Sequence, residues 1–160
     1  MTTQRLSSYI SICDKHAERL NSSLRNLEKF IPFTVSKYES LTEQEISFID
    51  QMSYRFGKLQ DTMGRLLRVI LNILEEDIYQ LPFIDVLNRA EKLGIIENAQ
   101  EWITLRELRN ILTHEYSEKV EDIVEGINKL YKISYRLLEI YNGVLKYIER
   151  KKNTGVSYAC

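Results

Sequence analysis

The chain has 160 residues, enough for one domain with a single buried core. Apolar residues make up 44% and charged residues 28%, a globular balance that excludes an intrinsically disordered chain. The formal net charge is -1, so the strongly basic balance of many nucleic-acid binders is absent, and any RNA contact has to come from a local basic patch.

The two cysteines, Cys13 and Cys160, form no Cys-x-x-Cys or Cys/His cluster. Neither a zinc site nor any other metal or cofactor is expected. A reducing cytoplasm is the expected compartment. No apolar stretch reaches the roughly 18 residues of a membrane span, and the N-terminus lacks the layout of a signal peptide.

Leu6, Ile10, Cys13, Ala17, Leu20, Leu24, Leu27 and Ile31 alternate at four- and three-residue steps. This heptad-like seam predicts a long first helix from near residue 4 to residue 30, stopped by Pro32. Residues 32–41 read as a connector. Thr42 and Glu45 make a capping box that opens a second helix over about 43–79. Its apolar set is Ile46, Ile49, Met52, Phe56, Leu59, Met63, Leu66, Ile70 and Ile73. Gly57 and Gly64 stand seven apart on one face of it. They mark either the close approach of another backbone or a local loosening of a long helix.

Pro82 opens a short third helix with Phe83, Val86, Leu87 and Ala90 inward, and Gly94 stops it. Asn98 caps a fourth helix over about 99–114, striped by Trp102, Leu105, Leu108 and Leu112. Ser117 caps a fifth over about 118–150, with Ile123, Ile127, Leu130, Ser134, Leu137, Tyr141, Val144 and Ile148 on one stripe. With no strand-like alternation, the expected class is all-α: an up-down bundle of about five helices, two or three of them long, with a short pair inserted. Residues 1–150 are expected to form one domain, with residues 151–160 a mobile tail.

Of the two histidines, His16 lies among Asp14, Lys15, Glu18 and Arg19 and reads as a solvated surface residue. His114 falls at the end of the fourth helix, where a histidine also serves as a plain C-terminal cap. Its neighbours open a chemical alternative. Arg109 offers forked donors that match a phosphate, and His114 moves protons near neutral pH. Asn110 adds a donor and an acceptor. Such a set suits phosphodiester cleavage without a metal. On an ideal helix, however, the five-residue step from Arg109 to His114 turns the face by roughly 140°. Either the helix ends before His114, or two copies of the segment meet across a two-fold axis.

Other features read more plainly. Arg55, Lys58, Arg65 and Arg68 recur along the second helix among acidic residues, as a solvated face or a basic stripe; Arg106 lies one turn before Arg109. Tyr131, Tyr135, Tyr141 and Tyr147 suit helix packing. The run Glu75-Glu76-Asp77 reads as exposed charge.

The string Arg109-Asn110-Ile111-Leu112-Thr113-His114-Glu115-Tyr116 resembles the Arg-x4-His-x-Tyr signature of the HEPN superfamily. Phe56-Gly57-Lys58-Leu59-Gln60-Asp61, Ala90-Glu91-Lys92-Leu93-Gly94-Ile95-Ile96, and Trp102 ahead of Leu105-Arg106-Glu107-Leu108 resemble its HepT-like branch. The likeness covers about residues 50–150; residues 1–31 form an extra N-terminal helix outside it, covering the core or strengthening a dimer. The resemblance implies a homodimeric, metal-independent ribonuclease toxin of a type II toxin–antitoxin pair, with RNA such as tRNA as substrate. An MNT-type nucleotidyltransferase antitoxin would neutralise it by adenylylating Tyr116. Carried over by residue, His114 transfers protons, Arg109 binds the scissile phosphate and Asn110 orients one of them. The alternative is a non-catalytic substrate-binding partner subunit of a nucleotidyltransferase.

Overall fold

The computed structural model describes residues 2–74, 78, 80–114 and 119–155; of Thr2, Thr113 and His114 only the backbone is described. Six α-helices and one 3-10 turn make up the described chain: α1 (Thr2–Leu27), the 3-10 turn Glu28–Phe30, α2 (Val35–Glu39), α3 (Glu43–Ile73), α4 (Phe83–Lys92), α5 (Ala99–His114) and α6 (Val120–Asn153). The protein is an all-α helical bundle. The long helices α1, α3 and α6 span 26, 31 and 34 residues, and the shorter α4 and α5 are inserted between α3 and α6.

The heptad seam of α1 is part of the core. Leu6, Cys13, Ala17, Leu20, Leu24 and Leu27 are buried, and α1 packs along α3 of the same chain. Burial pushes the Cys13 thiol up to about 12, which leaves it an inert small hydrophobe. The capping box of α3 forms as the sequence predicts: Glu45 N donates to Thr42 Oγ1 at 3.2 Å, and Thr42 N donates to Glu45 Oε1 at 2.9 Å. Asn98 caps α5 through Glu101 N at 3.0 Å. Gly94 has φ 78, the left-handed turn that ends α4 and favours glycine.

Several boundaries differ from the sequence reading. The connector holds a short helix, α2, because Thr34 Oγ1 accepts from Lys37 N and starts a turn. The Asn128 amide pins this connector to α6: it accepts from Phe33 N at 2.8 Å and donates to Phe33 O at 3.0 Å. Helix α3 ends at Ile73 rather than near residue 79, and Glu75, Glu76 and Asp77 lie outside the described residues. Pro82 is the residue before the first helical turn of α4, not its first member. Helix α6 begins at Val120 after Lys119, and Ser117 lies outside the described residues, as do 156–160 of the expected tail. Ile46 and Ile123, expected inside, are 38% and 36% exposed.

The α6 stripe otherwise faces the core. Tyr141 is buried and donates to Asp14 at 2.6 Å, tying α6 to α1. Tyr147 is also buried, whereas Tyr135 is exposed and pairs edge-on with Tyr131. Arg136 of α6 grips Glu101 of α5 with two bonds of 2.9 and 2.8 Å, and also reaches Glu97 and Glu139. This bidentate clamp fixes the N-terminal half of α5 against α6.

His16 is not simply solvated. It is half-buried, and its Nδ1 lies 2.9 Å from Arg55 Nη1 of α3. Burial and the surrounding cations Arg55, Lys58, Arg19 and Lys15 hold its imidazole below the ordinary 6.5.

Two outcomes follow from this packing. Leu20→Ala removes a fully buried side chain from the seam and should lower the unfolding free energy by about 2–5 kcal/mol in urea titrations. A loss below about 1 kcal/mol would place α1 outside the cooperative core. For His16, a folded-state value below the unfolded one means that the unfolded chain takes up the proton first. Its contribution to stability is complete above pH 6.5 and is lost as the pH falls from there through the folded value. The fall in Tm from about pH 7.5 to about pH 5.5 should therefore be smaller in His16→Gln than in the parent. Equal falls would contradict the Arg55 contact.

Candidate functional site

The C-terminal half of α5 carries the sequence motif. Its backbone is helical through His114, so the helix does not end before that residue. The first of the two ways to unite Arg109 and His114 is thereby ruled out. In helical register the two residues stand roughly 140° apart. The His114 side chain and Tyr116 lie outside the described residues. Asn110 is exposed, one step around the helix from Arg109.

Arg109 lies against α3. Its side chain is 18% exposed, and Nη2 stands 3.8 Å from Asp61 Oδ1. The guanidinium occupies the space that a side chain at position 57 would fill: a Cβ added to Gly57 would meet Arg109 Nη1 at 2.6 Å and Cζ at 3.5 Å. Gly57 is therefore a notch for an arginine. Gly64, two turns on, plays the same part for Phe83, whose ring would meet its Cβ at 3.1 Å. The close approach suggested by the two glycines is real, but side chains make it rather than a backbone.

The Arg109–Asp61 pair is long, and Asp61 is 54% exposed. Such a pair contributes at most about 1 kcal/mol. Shape in the notch orients the guanidinium. One turn of α3 supplies both the notch and the carboxylate, because Gly57 and Asp61 are four residues apart and share a face. Beside them Gln60 is 2% exposed, and its Nε2 donates to Trp102 O of α5 at 3.2 Å. The segment Phe56–Asp61 thus builds the groove in which α5 lies. The sequence marks Gly57 as a point of close approach but does not pair it with Arg109, and it gives Asp61 no role; their four-residue spacing within the family-like segment is the available signal.

The two flanks of α5 differ in character. On one flank, Gln60, Asp61, Gly64, Arg65, Arg68, Phe83, Trp102 and Arg106 line a cleft of about 330 Å³. Arg68 Cζ and Arg106 Cζ lie 5.8 and 5.9 Å from the Phe83 ring centre. Arg65 and Arg106 are exposed, so part of the basic stripe of α3 does converge with α5; Arg55, by contrast, is taken up by His16. On the other flank, a larger cleft of about 700 Å³ is lined by Ile46, Ile49, Ile111, Leu112, Ile123 and Ile127, with Asp50, Asp122 and Glu125 at its edge. Ile111 is 49% exposed. Gly126 lets Leu112 approach α6 there: a Cβ on it would meet Leu112 Cδ2 at 3.1 Å.

Among the described residues no helix is long and apolar enough to cross a membrane. No protein-family model matches the chain, and no solved structure matches it. A comparison with curated proteins finds a probable ribonuclease HepT of Haemophilus influenzae, 29% identical over 76 residues. The aligned part is 48% of this chain and 47% of that protein, so the chain spans about half the length of the curated relative it matches. The all-α bundle and this match both support a HepT/HEPN-type relationship.

Proposed function

We propose that this chain is a metal-independent ribonuclease, the toxin of a type II toxin–antitoxin pair, that acts as a homodimer on RNA such as tRNA. The observation that carries the reading is the seating of Arg109 in the Gly57 notch beside Asp61, five residues before His114 on one unbroken helix. On this reading Arg109, held in place by shape, is the phosphate-binding cation, and His114 on the same element transfers protons. The similarity to a probable ribonuclease HepT supports the same reading.

In the proposed reaction the ribose 2′-oxygen attacks the adjacent phosphorus. The P–O5′ bond breaks, leaving a 2′,3′-cyclic phosphate and a 5′-hydroxyl. His114 takes the 2′-hydroxyl proton or hands one to the departing 5′-oxygen. Arg109 neutralises charge developing on the phosphoryl oxygens, and Asn110 orients one of the two. Because α5 stays helical through His114, the second residue facing a given Arg109 comes most simply from another copy. The exposed Ile46, Ile111 and Ile123 beside the C-terminal turn of α5 offer an apolar surface for that contact. An MNT-type nucleotidyltransferase antitoxin would silence the toxin by adenylylating Tyr116, two residues beyond His114.

The direct test incubates purified protein with total tRNA in EDTA. The parent should cut and leave cyclic-phosphate ends, and His114→Ala should be slower by about 10²–10⁴-fold. Absence of cleavage by protein of unmodified mass would turn the reading to a non-catalytic nucleotidyltransferase partner. Gly57→Ala displaces only the flexible end of Arg109, so its Tm should stay within about 3 °C of the parent. Its cleavage should slow by at least about tenfold; unchanged cleavage would remove the notch from the mechanism. Ile111→Asp should halve the mass seen by light scattering and abolish cleavage, and a cutting monomer would refute the dimer.

A further inference from the structure

The smaller cleft, between α3, α4 and α5, is not used by the chemistry above. Among the described residues, three arginines, Arg65, Arg68 and Arg106, line it with one carboxylate, Asp61, which Arg109 engages. Arg68 is partly committed to the fold: both its terminal nitrogens lie 3.4 Å from Leu81 O, ahead of α4. Arg65 and Arg106 are exposed and come from different helices, so they approach the opening from two sides.

A second observation points to a ligand. Gln60 lines the same cleft, is 2% exposed, and its Oε1 has no hydrogen-bond partner among the described residues. The bond from its Nε2 to Trp102 O fixes the orientation of the amide, so Oε1 is the atom left over. A buried acceptor without a donor is costly, so a ligand donor that reached it would be favoured. The missing Cβ of Gly64 and the ring of Phe83, edge-on to Trp102 at 6.1 Å, give the cleft a flat apolar wall. Cations at the mouth, an apolar wall and one buried acceptor together match a phosphorylated ligand that also carries a planar ring and a donor.

We propose that this cleft binds one nucleotide: Arg65 and Arg106 take its phosphate, Phe83 borders its base, and Gln60 Oε1 accepts from a hydroxyl or amino group. The nucleotide is either free or one unit of an RNA strand; the second source rests on the ribonuclease reading, with the strand running past Asp61 to Arg109. A volume of about 330 Å³ limits the occupant to about one such unit.

The test measures binding of 5′-AMP, and separately of a fully 2′-O-methylated RNA pentamer that lacks the attacking hydroxyl, to the full chain by calorimetry. Arg65→Ala and Arg106→Ala, both at exposed positions, should each weaken binding by about tenfold or more. Gln60→Leu, which removes the acceptor together with the bond to Trp102 O, should lose affinity; if that variant does not fold, the arginine variants still decide. Binding of both probes supports the site with free nucleotide as an occupant, and binding of the pentamer alone assigns it to the RNA strand. No binding of either probe, or affinity unchanged in both arginine variants, overturns the proposal. Its fate is separable from that of the ribonuclease reading: arginine-dependent binding with no RNA cleavage would leave the cleft standing alone. Cleavage with arginine-independent binding would leave the reaction without the cleft.

Discussion

The placement of Arg109 in the motif depends on the space left in α3 at Gly57. With any side chain there, a Cβ would stand 2.6 Å from Arg109 Nη1. The missing atom lets the guanidinium lie on the surface of α3, mostly out of water, with a long ion pair to Asp61. A glycine inside a long helix costs about 1 kcal/mol relative to alanine. The rest of α3 offsets that cost: its capped start and the buried row of Met52, Phe56, Leu59, Met63, Leu66 and Ile70 make it the central element on which α1, α4, α5 and α6 all pack. Local destabilisation at one turn is thus carried by a core that spans the whole bundle.

Helix α5 separates two environments. Toward α3 and α4 it presents Arg106 to a cleft with Arg65 and Arg68, and Arg109 to Gly57 and Asp61; toward α6 it presents Ile111 and Leu112 to a cleft lined by isoleucines and by Asp50, Asp122, Glu125 and Lys129. A chain of net charge -1 can therefore still carry a locally basic surface, because arginines from α3 and α5 gather on one flank. The clamp of Arg136 on Glu101 holds the N-terminal half of α5 firmly to α6, so both flanks keep their positions relative to the bundle.

Much of the bundle is legible from periodicity because its helices are long and amphipathic. The seam of α1, the capping box at Thr42, the Asn98 cap and the Gly94 stop all rest on local chemistry that the sequence displays. What depends on contacts between distant residues is not visible there. Helix α2 is a single capped turn, too short to show a period. Ile46 and Ile123 match the apolar stripe of their helices yet are partly exposed, because they line the larger cleft. His16 looks solvated beside its charged neighbours in sequence, but Arg55 reaches it from 39 residues away. At the site, Arg109 could be named from its motif; its seat could not, since the partnership with Gly57 and Asp61 spans two helices about 50 residues apart.

The central claim is that each reactive centre takes Arg109 from one copy and His114 from another, because an unbroken α5 holds the two on different faces. The most direct measurement mixes two inactive variants, Arg109→Ala and His114→Ala, refolds them together and assays RNA cleavage. Random pairing makes half of the dimers mixed, and each mixed dimer holds one intact centre, so the account predicts recovery of about a quarter of the parental rate. If the mixture stays as inactive as its components while mixed dimers are shown to form, each centre draws both residues from one chain and the account is wrong.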